Sequence, residues 1–231
     1  MAASAADRGQ GWLRRYRSIL LRVASAAVLG PLVFAALWVG FPWIDLLAAL
    51  AAPVLVSETL RLTRGQPVTR LLAMAYVLGA ALALLWLRHQ PDVGRKTVVW
   101  IVVCVWATDI GAYVVGRWAG GAKLAPRISP GKTWSGLFGG MAWAAVASAL
   151  VSYAFGVGQT IDLAVIGAGL AVVAQLGDLL ESAAKRRAGV KDSGSLIPGH
   201  GGLLDRVDGL VAVLAAVAVI RLLFGGAWPW T

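Results

Sequence analysis

Cysteine is almost missing: Cys104 is the only one in 231 residues, which excludes a disulfide scaffold. Charge is scarce as well, at 14% of residues against 59% hydrophobic, and that balance excludes a disordered chain. Acidic residues are the scarcest charged class, 11 against 21 lysines and arginines, for a net charge of +10. What remains is apolar. With the 28 glycines counted in, the apolar fraction reaches roughly 70%, against about 45–50% in a soluble domain. Mean hydropathy is +0.75. One water-soluble core cannot hide so much apolar side chain, so the chain reads as an integral membrane protein. Its positive charge fits lysines and arginines gathered on one membrane face better than it fits a nucleic-acid partner.

A membrane span needs about 20 mostly apolar residues. Such runs occur at 19–40, 43–61, 70–88, 97–118, 134–156, 161–185 and 203–224. They predict an all-α polytopic bundle of about seven transmembrane helices. The basic stretch Arg8, Arg14, Arg15, Arg17 resembles the start of a signal peptide, but the run after it is long enough to span and favours a retained helix. Residues 1–96 would form an N-terminal unit of about three spans, and 97–231 a catalytic unit of about four. With the N-terminus inside and the C-terminus outside, only Arg88, Arg95, Lys96 and Arg221 of the 21 basic residues face outward. The positive-inside rule selects that orientation, with the loop around Arg88–Lys96 as the dissenting segment. The two longest polar connections, 119–133 and 186–202, then share the cytoplasmic side.

Carboxylates within spans cost roughly 2.5–3.5 kcal/mol each at mid-bilayer. This chain places Asp45, Glu58, Asp109, Asp178, Glu181, Asp205 and Asp208 in or at the ends of apolar runs. Asp178, Glu181, Ser182 and Lys185 share one helical face, and Asp205 and Asp208 stand three apart at the start of the last span. Each acid alone could be an internal ion pair, for example Asp178 or Glu181 with Lys185 and Asp205 with Arg206. As a set, acids converge on two consecutive helix ends joined by a basic, glycine-rich loop. That is the donor set a hard divalent cation carrying phosphates requires.

The joining loop carries Lys185, Arg186, Arg187, Lys191, five glycines, Pro198 and His200, but lacks the G-x-x-x-x-G-K-[ST] pattern of a P-loop. Its glycines let backbone N–H groups approach an anion, its cations neutralise one, and His200 between two glycines would have a site-shaping or phosphate-contacting role in preference to that of a general base. Upstream, Asp109 shares a face with Tyr113 and Gly116. Arg117, Gly120, Gly121, Lys123, Arg127 and the run Ser129-Pro130-Gly131-Lys132-Thr133 come next, just before the fifth span. That run reads either as a phosphate-binding turn at a helix N-terminus or as a simple helix cap.

Over 182–208 these residues resemble the signature of phosphatidate cytidylyltransferases (CDP-diacylglycerol synthases). The matching positions are Ser182, Lys185-Arg186, Lys191-Asp192, Gly194, Ile197-Pro198, His200-Gly201-Gly202 and Asp205-Arg206-x-Asp208. Asp109-x-x-Ala112-Tyr113-x-x-Gly116-Arg117, Ile128-Ser129-Pro130-x-Lys132-Thr133 and Gly177-Asp178 with Glu181-Ser182 are similar to further motifs of that family. The likeness covers about 105–215, with Glu58 as an outlying shared acid. Ser135 stands where the family usually has Glu, and the chain is shorter than many relatives, which implies an N-terminal helix or two fewer.

The resemblance implies that CTP and phosphatidic acid give CDP-diacylglycerol and pyrophosphate at a bacterial-type inner membrane. Magnesium is required, and a second, monovalent cation and a homodimer are implied with it. Asp178, Asp205 and Asp208, with Glu181, would hold the metal, and Asp178, Lys185, His200, Asp205 and Asp208 would form the catalytic group. Asp109, Tyr113, Ser129, Lys132, Thr133, Ser182, Arg186, Lys191 and Arg206 would bind substrate. The rival readings are a cytidylyltransferase for another lipid phosphate, a lipid kinase, and an ion or solute transporter. Intramembrane acids favour a transporter in general, but here they cluster at one face instead of lining a path across. If Ser135 has not inherited the missing acid's role, Ser135→Ala will lower turnover only mildly. A loss of about a thousand-fold, the scale of a lost transition-state contact, would assign that role to Ser135.

Overall fold

The computed structural model describes residues 27, 28, 30–196, 201–225 and 229. In chain order the helices are α1 (Gly30–Val39), α2 (Trp43–Leu62), α3 (Pro67–Arg88) and α4 (Gly94–Ala119). A hairpin of β1 (Lys123–Ala125) and β2 (Ser129–Thr133) comes next, and then α5 (Trp134–Phe155), α6 (Thr160–Arg187) and α7 (Leu204–Phe224). Six of these helices, α2 to α7, are long and apolar enough to cross a membrane. They fall on the expected runs from 43–61 to 203–224. Of the expected first span, 19–40, the described part is the short apolar helix α1. The basic residues 8–22 and His200 lie outside the described residues.

Helices are the form these runs must take, because lipid offers no partner to an unpaired backbone N–H or C=O. Their outer faces are correspondingly apolar: Leu82, Val146, Leu150 and Leu222 are all exposed. The interior is built around α4, whose Val98, Trp100 and Ile101 are wholly buried. Trp100 Nε1 donates to Ser148 Oγ of α5 at 2.9 Å, which satisfies a polar group deep in the core. Between α4 and α5 the contact is made by small residues, including Gly111, Gly139 and Gly140, so the two backbones approach closely.

The polar stretch before α5 is partly a ladder. β1 pairs antiparallel with β2, Lys123 opposite Thr133 and Ala125 opposite Ser129. Ser-Pro-Gly-Lys-Thr carries no apolar alternation, so this pairing is not legible in the sequence. Thr133 ends the strand and starts the helix, its Oγ1 accepting from Gly136 N at 3.1 Å. The dissenting basic residues at the end of α3 and the start of α4 also have local work. Arg88 donates to the carbonyls of Leu37 (2.9 Å) and Trp38 (3.2 Å) at the end of α1, and Arg95 lies over the Trp38 ring at 4.9 Å.

A Cβ at Gly140 would sit 2.9 Å from the backbone oxygen of Thr108, which cannot swing aside. Gly140→Leu is therefore expected to cost about 1–3 kcal/mol by forcing α4 from α5. A lowered unfolding temperature in detergent would register that cost, and an unchanged one would contradict this packing.

Candidate active site

The two polar connections meet at one end of the bundle. Arg186 Nε, at the end of α6, donates to the carbonyl of Ile128 in the hairpin turn at 3.3 Å. From β2, Lys132 reaches α6, where its Nζ lies 2.6 Å from Asp178 Oδ2 and 2.8 Å from Gln175 Oε1. Between α4, the hairpin and α6 lies a cleft of about 530 Å³, lined among others by Asp109, Tyr113, Lys123, Ser129, Lys132, Gln175 and Asp178. Its wall mixes cations, hydroxyls and acids. Asp109 also borders a separate apolar cavity of about 230 Å³ to which Arg206 contributes.

Asp178 and Glu181, three apart on α6, meet Asp208 of α7. One carboxylate oxygen from each can be chosen so that all three lie within 4.8 Å of one another. Gly177 permits this approach, since a Cβ there would lie 2.5 Å from Ala212 Cβ and 2.8 Å from the Asp208 carbonyl. Ser182 Oγ donates to Asp178 Oδ1 at 3.2 Å, and Gly209 N to Asp208 Oδ1 at 2.8 Å. Glu181 is buried with neither oxygen in a well-aligned hydrogen bond. Like charges at such a spacing repel by roughly 3–4 kcal/mol per pair at an effective dielectric of about 20. An all-oxygen acidic triad of this kind could hold a hard metal ion, whose ligands stand about 2.0–2.6 Å from it.

The sequence-derived metal set also contained Asp205, and the structure employs that side chain differently. Asp205 Oδ1 lies 2.7 Å from Lys185 Nζ, and Oδ2 accepts from Ser193 N (3.0 Å) and Gly202 N (2.8 Å). Lys185 bridges onward to Glu181 Oε2 at 2.5 Å. Asp205 thus ties the loop to the first turn of α7, its lone pairs taken by a lysine and two amides. Thr133, expected at phosphate, caps α5 and also lines the polar cleft. Ser135 Oγ donates to the Gly120 carbonyl and sits 3.0 Å from Thr133 Oγ1, so it links the end of α4 to α5. Lys191 is exposed, and His200 is outside the described residues.

Two participants escape a reading of the sequence. Gln175 stands one helical turn before Asp178 and is visible there only as a lone amide in an apolar run. Ser193 looks like ordinary loop polarity, yet its hydroxyl donates to Glu58 Oε2 of α2 at 3.0 Å. On the far side of the triad a third cavity, about 400 Å³, is walled by Leu62, Leu72, Val77, Leu180 and Val211, with Glu181 and Asp208 at its border. The acids therefore stand between a polar cleft and an apolar one.

Comparison with known proteins gives a family for the chain. A family model described as "Cytidylyltransferase family" matches residues 65–224. The chain is 44% identical over 181 residues to a phosphatidate cytidylyltransferase of Brucella suis biovar 1 (strain 1330), a match covering 78% of this chain and 66% of that protein. It is 35% identical over 215 residues to one from Rickettsia bellii (strain RML369-C), covering 90% of this chain and 92% of the relative. To one from Pseudomonas aeruginosa it is 42% identical over 144 residues, covering 62% and 52%. The chain thus spans just under two thirds of the length of the Brucella relative and nearly all of the Rickettsia one. With a family match extending from α3 through α7, this chain belongs to the cytidylyltransferase family.

Proposed function

We propose that this chain transfers the CMP moiety of CTP to phosphatidic acid, giving CDP-diacylglycerol and pyrophosphate. The observation that carries the reading is the placement of Asp178, Glu181 and Asp208 between a lysine-bearing polar cleft and an apolar cavity. One substrate is a water-soluble polyanion and the other a lipid, and a shared site needs a wet door and an oily one.

The phosphate monoester of phosphatidic acid is already an anionic nucleophile, so little general-base help is needed. Its oxygen forms a bond to the α-phosphorus of CTP while the bond from that phosphorus to the bridging oxygen breaks and pyrophosphate departs. The obstacle is bringing two polyanions together. Asp178, Glu181 and Asp208 would hold Mg²⁺, which supplies charge neutralisation and alignment of the phosphates. Lys132 and Lys123 face the polar cleft and would neutralise the triphosphate there, while Lys185 balances Glu181 and Asp205. Asp109 and Tyr113 would line the nucleotide's path. The acyl chains would stay in the apolar cavity, so that only the headgroup meets the acids. Asp205 is a loop anchor in this scheme, not a metal ligand. Residues 1–96 would serve as the N-terminal unit and 97–231 as the unit carrying most of the chemistry. The excess of lysine and arginine on one side favours a site facing the cytoplasm of a bacterial-type inner membrane, where CTP is found.

Purified protein given labelled CTP and phosphatidic acid is expected to release pyrophosphate only when magnesium is present. Release of a nucleoside diphosphate would indicate a kinase, and conversion of other lipid phosphates alone would change the acceptor. Asp208→Asn is expected to lower turnover by about 100-fold or more and to weaken Mn²⁺ binding by a similar factor. Near-normal magnesium-dependent turnover in that variant would remove Asp208 from the metal set.

A further inference from the structure

Glu58 is a carboxylate within a spanning helix, only 3% exposed, and it lies outside the residues matched by the family model. It reaches from α2 across to Ser193 within the loop joining α6 and α7 and to the point where that loop enters α7. Ser193 Oγ donates to Oε2 at 3.0 Å, Leu203 N to Oε1 at 3.0 Å, and Leu204 N to Oε2 at 2.8 Å. Helix α7 has no capping side chain of its own, so this distant carboxylate takes the first amides of the helix and meets the positive end of its dipole. Ser193 is shared: its hydroxyl goes to Glu58 and its N–H to Asp205. No side chain fits at Gly202, where a Cβ would lie 2.7 Å from both Glu58 oxygens.

The consequence reaches the acidic triad. Asp208 lies one helical turn beyond Leu204, so whatever fixes the start of α7 also fixes how far Asp208 stands from Asp178 and Glu181. We infer that Glu58 is a positioning residue, a clamp from α2 that sets the register of α7 and thereby brings Asp208 into the metal-binding triad. The inference rests on the proposed reaction only in naming magnesium as the ion held.

Glu58→Gln keeps the shape and removes one acceptor. Whichever way the amide turns, its NH₂ group faces an N–H donor, and Leu203 N or Leu204 N loses its partner. In this variant hydrogen exchange at residues 201–204 is expected to quicken about tenfold or more, with α4 and α5 unchanged. The magnesium concentration for half-maximal turnover should rise about 10–100-fold, the usual effect of losing an outer partner of a metal site. Half-saturation by phosphatidic acid should stay put. Ser193→Ala, which leaves the carboxylate and both amide bonds in place, should shift the same two readouts less. Wild-type exchange and metal dependence in Glu58→Gln would overturn the inference. So would faster exchange throughout the chain combined with unaltered metal dependence in Ser193→Ala, which would make Glu58 a stability residue alone. Should wild-type protein lack CTP turnover, the reaction assignment fails by itself, and Mn²⁺ alone then judges the clamp. Mn²⁺ is expected to slow exchange at 201–208 in wild type and not in Glu58→Gln; equal slowing in both, or none in wild type, would overturn it.

Discussion

A carboxylate in an apolar medium persists only where something meets its charge, and in this chain that requirement organises the acid-rich end of the bundle. Each of these buried or half-buried acids is met differently. Glu58 is satisfied by two amides and a hydroxyl, Asp205 by a lysine and two amides, and Asp178 by Lys132 and Ser182. Glu181 is met by Lys185 and Asp208 by the Gly209 amide, and both border the apolar cavity. Glu58 and Asp205 hold the loop through backbone amides, whereas the three acids that could hold an ion are met by side-chain cations, a hydroxyl and one amide.

Packing of small residues makes this arrangement possible. Gly177 lets α7 come within contact of α6, and without that approach three carboxylates could not face one another from two helices. Glycines and alanines between α4 and α5 similarly seat the hairpin, whose Lys132 reaches across to Gln175 and Asp178. In lipid there is little hydrophobic gain from burying one helix against another, so close backbone approach and interhelical hydrogen bonds carry more of the association. Residues that look featureless in a hydropathy reading therefore determine where the charged ones meet.

Much of the site is legible in the sequence because its residues are close together along the chain. Asp178, Glu181, Ser182 and Lys185 share a helical face by spacing alone, and Ser182 does bond Asp178 as that spacing requires. The alternative of internal ion pairing, weighed for single acids, turns out to coexist with the metal-binding geometry: Lys185 pairs with both Glu181 and Asp205. Asp205 and Asp208 cannot be told apart by spacing. They are three residues apart, yet one faces the loop and the other faces α6, a difference set by how α7 is rotated against its neighbours. Thr133 illustrates the same limit, since a hydroxyl before a helix serves equally as cap or as phosphate contact until its partner is seen.

Hydropathy and local spacing are one-dimensional quantities, so the sequence alone determined membrane residence, the runs of the six long helices α2 to α7, and which segments gather acids and lysines. Partnerships between distant residues were decided by the tertiary structure, because they depend on helix rotation and on interhelical distance. Lys132 meets Asp178, Asp208 joins Asp178 and Glu181, and Glu58 closes on Ser193, Leu203 and Leu204 only once the helices have packed.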